Sequence, residues 1–170
     1  GVFMNAGAYD GALSQVIQWV DCLDETGQPR RLEGDALELG YRRSVFVRLP
    51  WLITGARISL KKGEEGEIRG KMADLAQRRR SKQPLEYPSA GSTFKRPEGH
   101  FAGALIQECG LKGAQVGGAQ VSEKHAGFVV NRGGATCRDI LALIQMVRET
   151  VKKGTGVVLE PEVRLLGCSL

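Results

Sequence analysis

Tyr87-Pro-Ser-Ala-Gly-Ser-Thr-Phe-Lys-Arg-Pro97 is the stretch around which the rest of the chain is read. Small residues surround one hydroxyl pair, Ser92 and Thr93, and two cations, Lys95 and Arg96, follow at once. Pro88 and Pro97 bracket the segment, and Gly91 permits backbone angles closed to other residues. Such a loop can bring peptide N–H groups, hydroxyls and positive charge to an anion. Local chemistry alone also allows a plain surface turn, so the decision rests on the rest of the chain.

Composition narrows the possibilities. A length of 170 residues suits one domain or two small ones, with enough chain for a buried core. Apolar residues make up 42% and charged residues 25%, the balance of a globular protein. The 23 glycines follow no period, which excludes collagen-like sequence and points to turns and close backbone approaches. A net charge of +5 permits anionic partners without choosing one. The run Arg78-Arg-Arg-Ser-Lys82 ends an expected helix, where cations complement the helix dipole. With only 6% aromatic residues to stack bases, no nucleic-acid partner is expected.

Cys22, Cys109, Cys137 and Cys168 are widely spaced, and His100 and His125 add no metal-ligand pattern. Free thiols in a reducing cytoplasm and no metal site are expected. No apolar run reaches the length of a membrane span, so no membrane partner is expected. The first residues lack the basic start of a signal peptide and an initiator Met, so the chain is expected to begin inside a longer protein.

Periodicity predicts strands over 15–23 and 51–60, a hairpin return over 30–33 after the turn at 25–28, a short helical turn over 35–41, and a strand at 45–47. Residues 64–80 form the clearest helix, with Ile68, Met72, Leu75 and Ala76 on one apolar stripe. A further helix is predicted over 101–109, stopped by Gly110, then short strands over 115–121 and 127–130. Thr136 caps a helix over 136–153 whose face is Ile140, Leu143, Ile144, Val147 and Val151. A final strand over 157–166 carries Glu160 and Glu162. The order from the Tyr87 loop onward indicates an α+β unit.

Four segments in series resemble one family, the UDP-N-acetylenolpyruvoylglucosamine reductases: Met4-Asn-Ala-Gly-Ala-Tyr9, Gly40-Tyr-Arg-Arg-Ser44, the Tyr87–Pro97 loop, and Leu159-Glu-Pro-Glu-Val-Arg-Leu-Leu-Gly167. Gly117-Gly-Ala-Gln-Val-Ser-Glu-Lys-His-Ala126, with Asn131, resembles the family's substrate domain. The resemblance implies the end of a MurB-like, vanillyl-alcohol-oxidase-type FAD-binding domain (1–84), a small α+β substrate-binding domain (85–154), and a last strand (155–170) returning to the first domain. It implies the shorter subclass, without an inserted tyrosine-bearing loop. Asp10 departs from the family pattern, where a glycine is expected.

The implied activity is NADPH-dependent, FAD-mediated reduction of UDP-N-acetylglucosamine enolpyruvate to UDP-N-acetylmuramate in peptidoglycan synthesis, in a cytoplasmic monomer. By motif position, Ser92 matches the proton donor, Arg42 the carboxylate-gripping arginine and Glu162 the assisting glutamate. Spacing alone does not separate Arg42 from Arg43, nor Glu162 from Glu160. Asn5, Ala6, Gly7, Ala8 and Arg164 are implied near the flavin, and Tyr41, Lys95, Arg96, Lys124 and His125 near phosphate or sugar. The competing reading is a UDP-sugar-binding module without catalytic activity, because much of the FAD pocket belongs to residues ahead of those in the matched segments.

Overall fold

The computed structural model describes residues 1–169, which group into two compact units, one over Gly1–Glu64 and one from Glu65 onward. The first unit opens on a minimal hairpin. Strands β1 (Gly7–Ala8) and β2 (Gly11–Ala12) pair antiparallel, and Tyr9 and Asp10 between them have φ of +51° and +64°. Two successive left-handed residues make the turn whose twist suits a two-residue hairpin. Asp is among the few residues that enter this region at modest cost, which is how Asp10 holds a glycine-like position.

Three longer strands follow: β3 (Ile17–Leu23), β4 (Pro29–Glu33) and β5 (Leu52–Ile58), an antiparallel sheet in the order β4-β3-β5. The turn between β3 and β4 is fastened by the Asp24 carboxylate, which accepts from the N–H groups of Thr26 and Gln28 at 2.9 Å each. The expected strand at 45–47 is instead a single 3-10 turn, Val45–Val47. Its β-branched run between Ser44 and Pro50 reads as a short buried strand, and one tight turn delivers Val45 and Phe46 to the core just as well. There they meet Val20, Cys22 and Leu37, the last supplied by the 3-10 turn Gly34–Leu37.

The second unit begins with helix α1 (Glu65–Lys82), followed by β6 (Ser89–Ser92), α2 (Ala102–Glu108), β7 (Gln115–Val116), β8 (Ala119–Val121), β9 (Phe128–Asn131) and α3 (Cys137–Thr155). The four strands form an antiparallel sheet ordered β6-β9-β8-β7. Its core joins Val121 and Val129 of the sheet to Leu105 and Ile106 of α2 and to Leu143, Ile144 and Val147 of α3. At the start of α3 the Thr136 hydroxyl accepts from the Asp139 N–H at 3.1 Å, and the Asp139 carboxylate accepts from the Thr136 N–H at 2.9 Å. That reciprocal bond holds the Asp139 carboxyl below the usual carboxylate range. Gly156, at φ +77°, closes the other end.

Three expectations change here. Part of the Tyr87–Pro97 loop is an edge strand, β6. The strand expected over 157–166 is absent; that segment joins the unit through one antiparallel bridge, Phe94 to Pro161. The bridge is made by the N–H groups of Lys95 and Glu162, so the N–H that Pro161 lacks would face away from Phe94, where its absence closes that side to a further strand. Helix α1 forms, yet its stripe is not buried: Ile68 and Met72 are exposed and Leu75 only half-buried. Ion pairs one turn apart, Glu65–Arg69 at 2.6 Å and Asp74–Arg78 at 2.8 Å, support it instead.

Candidate active site

Ser92 ends β6 opposite Phe128, after an irregularity in the register that begins at Ser89. Gly91 sits inside that irregularity at φ +88°, a conformation that suits glycine alone. The bulge turns the end of the edge strand, and Ser92 emerges exposed beside two buried neighbours, Thr93 and Phe94.

The segment after α3 is then held against this edge at several points. Arg148 of α3 donates through Nε to the Leu159 carbonyl at 3.1 Å. The Lys95 N–H donates to the Glu160 carbonyl at 2.8 Å, and the Lys95 ammonium pairs with the Glu160 carboxylate. The Glu162 N–H donates to the Thr93 carbonyl at 2.8 Å. Glu162 therefore lies across from Thr93, one residue along the chain from Ser92. This separates the two glutamates that motif spacing leaves level. Glu160 is paired with Lys95 and is exposed, whereas Glu162 is half-buried, with its backbone bonded to Thr93.

In the first unit, Asn5 is a structural hub. Its side-chain amide donates to the Gly40 carbonyl at 3.1 Å and its oxygen accepts from the Ser14 N–H at 2.9 Å. Ser44, also buried, donates its hydroxyl to the Phe3 carbonyl at 2.7 Å. These bonds tie the Met4–Tyr9 segment to the Gly40–Ser44 turn. Gly40 and Arg43 close that turn through mutual backbone bonds of 3.0 and 3.2 Å. Arg42, at φ +52°, occupies its tightest position, with the guanidinium 3.5 Å from the Gly7 carbonyl and 5.2 Å from the centre of the Tyr41 ring. A left-handed arginine costs about 1–2 kcal/mol, a price met where the surrounding bonds dictate the turn. Geometry thus distinguishes Arg42, half-buried near Gly7, from the exposed Arg43.

The remaining residues divide. Lys124 donates to the Arg80 carbonyl at 2.9 Å, at the end of α1, and lies 3.6 Å from Glu86. It also lines a cavity of about 280 Å³ with Tyr87, Glu86, Glu123 and Arg132. Arg132, to which the sequence reading gives no role, lies 4.1 Å over the Tyr87 ring. Only the fold brings these two together, since 44 residues of chain separate Tyr87 from β9's exit. His125 is half-buried, edge-on to Phe128 at 4.9 Å, and its Nδ1 accepts from the Gly127 N–H at 3.1 Å. Burial pushes its pKa below the ordinary histidine value. Arg96 stacks on Phe101 at 4.0 Å, and Arg164 is exposed beyond Glu162. Among the described residues no cluster of His, Cys, Asp or Glu is arranged to hold a metal, and no helix is long and apolar enough to cross a membrane.

An antiparallel sheet backed by helices makes the second unit a small α+β domain, and its exposed edge carries polar and cationic residues. Comparison with known proteins narrows that class. Residues 83–166 match the family model for the UDP-N-acetylenolpyruvoylglucosamine reductase C-terminal domain. The chain is 55% identical to the reductase of that name from Clostridium perfringens strain SM101, over 98% of this chain and 55% of that protein. It is 53% identical to the one from Lachnoclostridium phytofermentans, over 98% of this chain and 54% of that protein. The crystal structure of UDP-N-acetylenolpyruvylglucosamine reductase (MurB) from Thermus caldophilus superposes with a TM-score of 0.82 at 34% identity, covering 96% of this chain and 57% of that one. Over residues 83–166 the chain belongs to the family of UDP-N-acetylenolpyruvoylglucosamine reductase C-terminal domains. It spans about half the length of the curated relatives it matches.

Proposed function

We propose that this chain is the flavin-contacting and substrate-binding part of a cytoplasmic, monomeric reductase that converts UDP-N-acetylglucosamine enolpyruvate to UDP-N-acetylmuramate for peptidoglycan synthesis, with NADPH and FAD. The observation that carries the reading is the bond between Glu162 and Thr93, which ties the backbone of the half-buried Glu162 to the residue that follows the exposed Ser92, in a chain with reductase relatives. On this reading residues 1–84 end the FAD-binding domain and 85–154 bind substrate.

The Met4–Tyr9 segment fits a flavin at the level of backbone approach. Ala6 and Ala8 are small and exposed, while Asn5 spends its amide on Ser14 and Gly40 and so stiffens the loop. Ala6, Gly7 and Ala8 would hold the flavin through backbone atoms, with Asn5 fixing the loop, and Arg164 would contribute a positive charge to the cofactor. The bound flavin, reduced by NADPH, supplies the hydride that the substrate alkene requires.

The protein's own groups handle charge and the proton. Negative charge grows on the carbon bearing the substrate carboxylate and spreads into that carboxylate. Arg42 grips the carboxylate with paired N–H groups, and its charge persists at any working pH. Ser92 gives its hydroxyl proton to that carbon, a transfer available to a weak acid because the acceptor is strongly basic. Glu162 orients the donor. Tyr41, Lys95, Arg96, Lys124 and His125 provide phosphate and sugar contacts, Lys124 from the wall of the Tyr87 cavity.

Ser92→Ala in the intact gene product tests the assignment. Reduction of bound FAD by NADPH proceeds at its normal rate, while reduction of the enolpyruvyl substrate falls about 10³-fold, within the range of general acid catalysis. Stopped-flow measurement of the two half-reactions decides, and an unchanged second half-reaction overturns the role of Ser92.

A further inference from the structure

We infer that Thr93 is a positioning residue, whose buried hydroxyl fixes Ser92 and Glu162 relative to one another. The inference rests on the reductase reading and adds to it a residue that neither motif position nor charge singles out. Thr93 is 4% exposed and lies where two parts of the chain cross. Its N–H donates to the Gly127 carbonyl at 2.8 Å, its carbonyl accepts from the Glu162 N–H at 2.8 Å, and its Oγ1 accepts from the Val129 N–H at 3.0 Å.

The third bond matters because of the bulge. Val129 lies between the two positions of β9 that pair with β6, Phe128 opposite Ser92 and Val130 opposite Ser89, so its buried N–H falls within the irregularity in the register. A buried backbone N–H without an acceptor is costly, and the Thr93 hydroxyl takes the place of a ladder carbonyl. The side chain thereby clamps the end of β6 to β9, while the main chain of the same residue clamps β6 to the Glu162 segment. Ser92 precedes Thr93 and Glu162 faces it, so a shift of this one residue moves both. Valine has nearly the same shape but no acceptor; serine keeps the acceptor and loses only a methyl.

Thr93→Val and Thr93→Ser, made in the intact gene product, test the inference by two readouts. Hydrogen exchange followed by mass spectrometry should show the peptides over 126–131 and 157–166 exchanging roughly tenfold faster in T93V than in wild type, with T93S near wild type and α3 unchanged in both. For the enolpyruvyl substrate, kcat should fall about a hundredfold in T93V with KM within about threefold, and T93S should recover most of the loss, as expected for misplacement rather than lost binding. NADPH reduction of the flavin should stay normal throughout. Unchanged exchange in T93V overturns the clamp, whatever the activity. Equal loss of kcat in T93V and T93S overturns the part played by the hydroxyl. Should Ser92→Ala leave the substrate half-reaction intact, the proton-donor reading falls, while the exchange result still decides whether Thr93 holds the two segments together.

Discussion

Backbone angle decides several of the residue choices in this chain. Arg42, Tyr9 and Asp10 all carry positive φ without being glycine, and each sits in a turn closed by bonds on both sides. Asp10 gives the cleanest measurement. Its φ of +64° is that of a hairpin glycine, and its carbonyl already accepts from the Gln15 side chain at 3.2 Å, a bond any residue there would keep. Left-handed strain costs most residues about 1–2 kcal/mol and aspartate somewhat less; Asp10→Gly removes that share and adds a backbone entropy cost of about 0.5–1 kcal/mol. The expected outcome is a stabilisation of up to about 1 kcal/mol in the first unit, read by urea unfolding. Gly27→Ala is the reciprocal experiment: its φ is +78° with open space around it, so strain acts without any clash and destabilises by about 1 kcal/mol. If both substitutions move stability the same way, backbone strain is not what governs these turns.

At the scale of elements, α3 is where local rule and tertiary demand agree. Thr136→Ala removes the acceptor for the Asp139 N–H and should cost about 1 kcal/mol, with Thr136→Ser near neutral, measured from the loss of helical circular dichroism in urea. The same agreement made α3 readable in sequence, since cap, apolar face and terminal glycine all mark one helix. Other elements were legible only in part. Helix α1 could be read from its charges, but periodicity implied a buried stripe and Ile68 and Met72 are exposed, because a stripe says nothing about what lies opposite it. Val45–Val47 and the Pro161 bridge escaped because burial can be met by a single turn or by one pair of backbone bonds, neither of which leaves a period. Within the site, motif position picked Ser92 and Glu162, but their adjacency depends on bonds from 93 to 162, far apart in sequence. Thr93 was invisible for the same reason: its worth lies in what the bulge leaves unpaired.

The whole molecule separates into two cores of unequal size, and its chromophores happen to divide with them. Among the described residues, the first unit buries Val20, Cys22, Leu37, Val45 and Phe46, while the second buries thirteen apolar residues in one cluster. Both tryptophans, Trp19 and Trp51, lie in the first unit, and the three α-helices of the described residues lie in the second. Tryptophan fluorescence thus reports one core and helical dichroism the other. Because stabilisation scales with apolar area removed from water, the smaller core should give way first. Urea unfolding should show the fluorescence transition preceding the dichroism transition by roughly 1 M, with Asp10→Gly moving only the first and Thr136→Ala only the second. Coincident transitions that both substitutions shift together would mean that the chain unfolds as a single cooperative body, and that the two cores are not independent sources of stability.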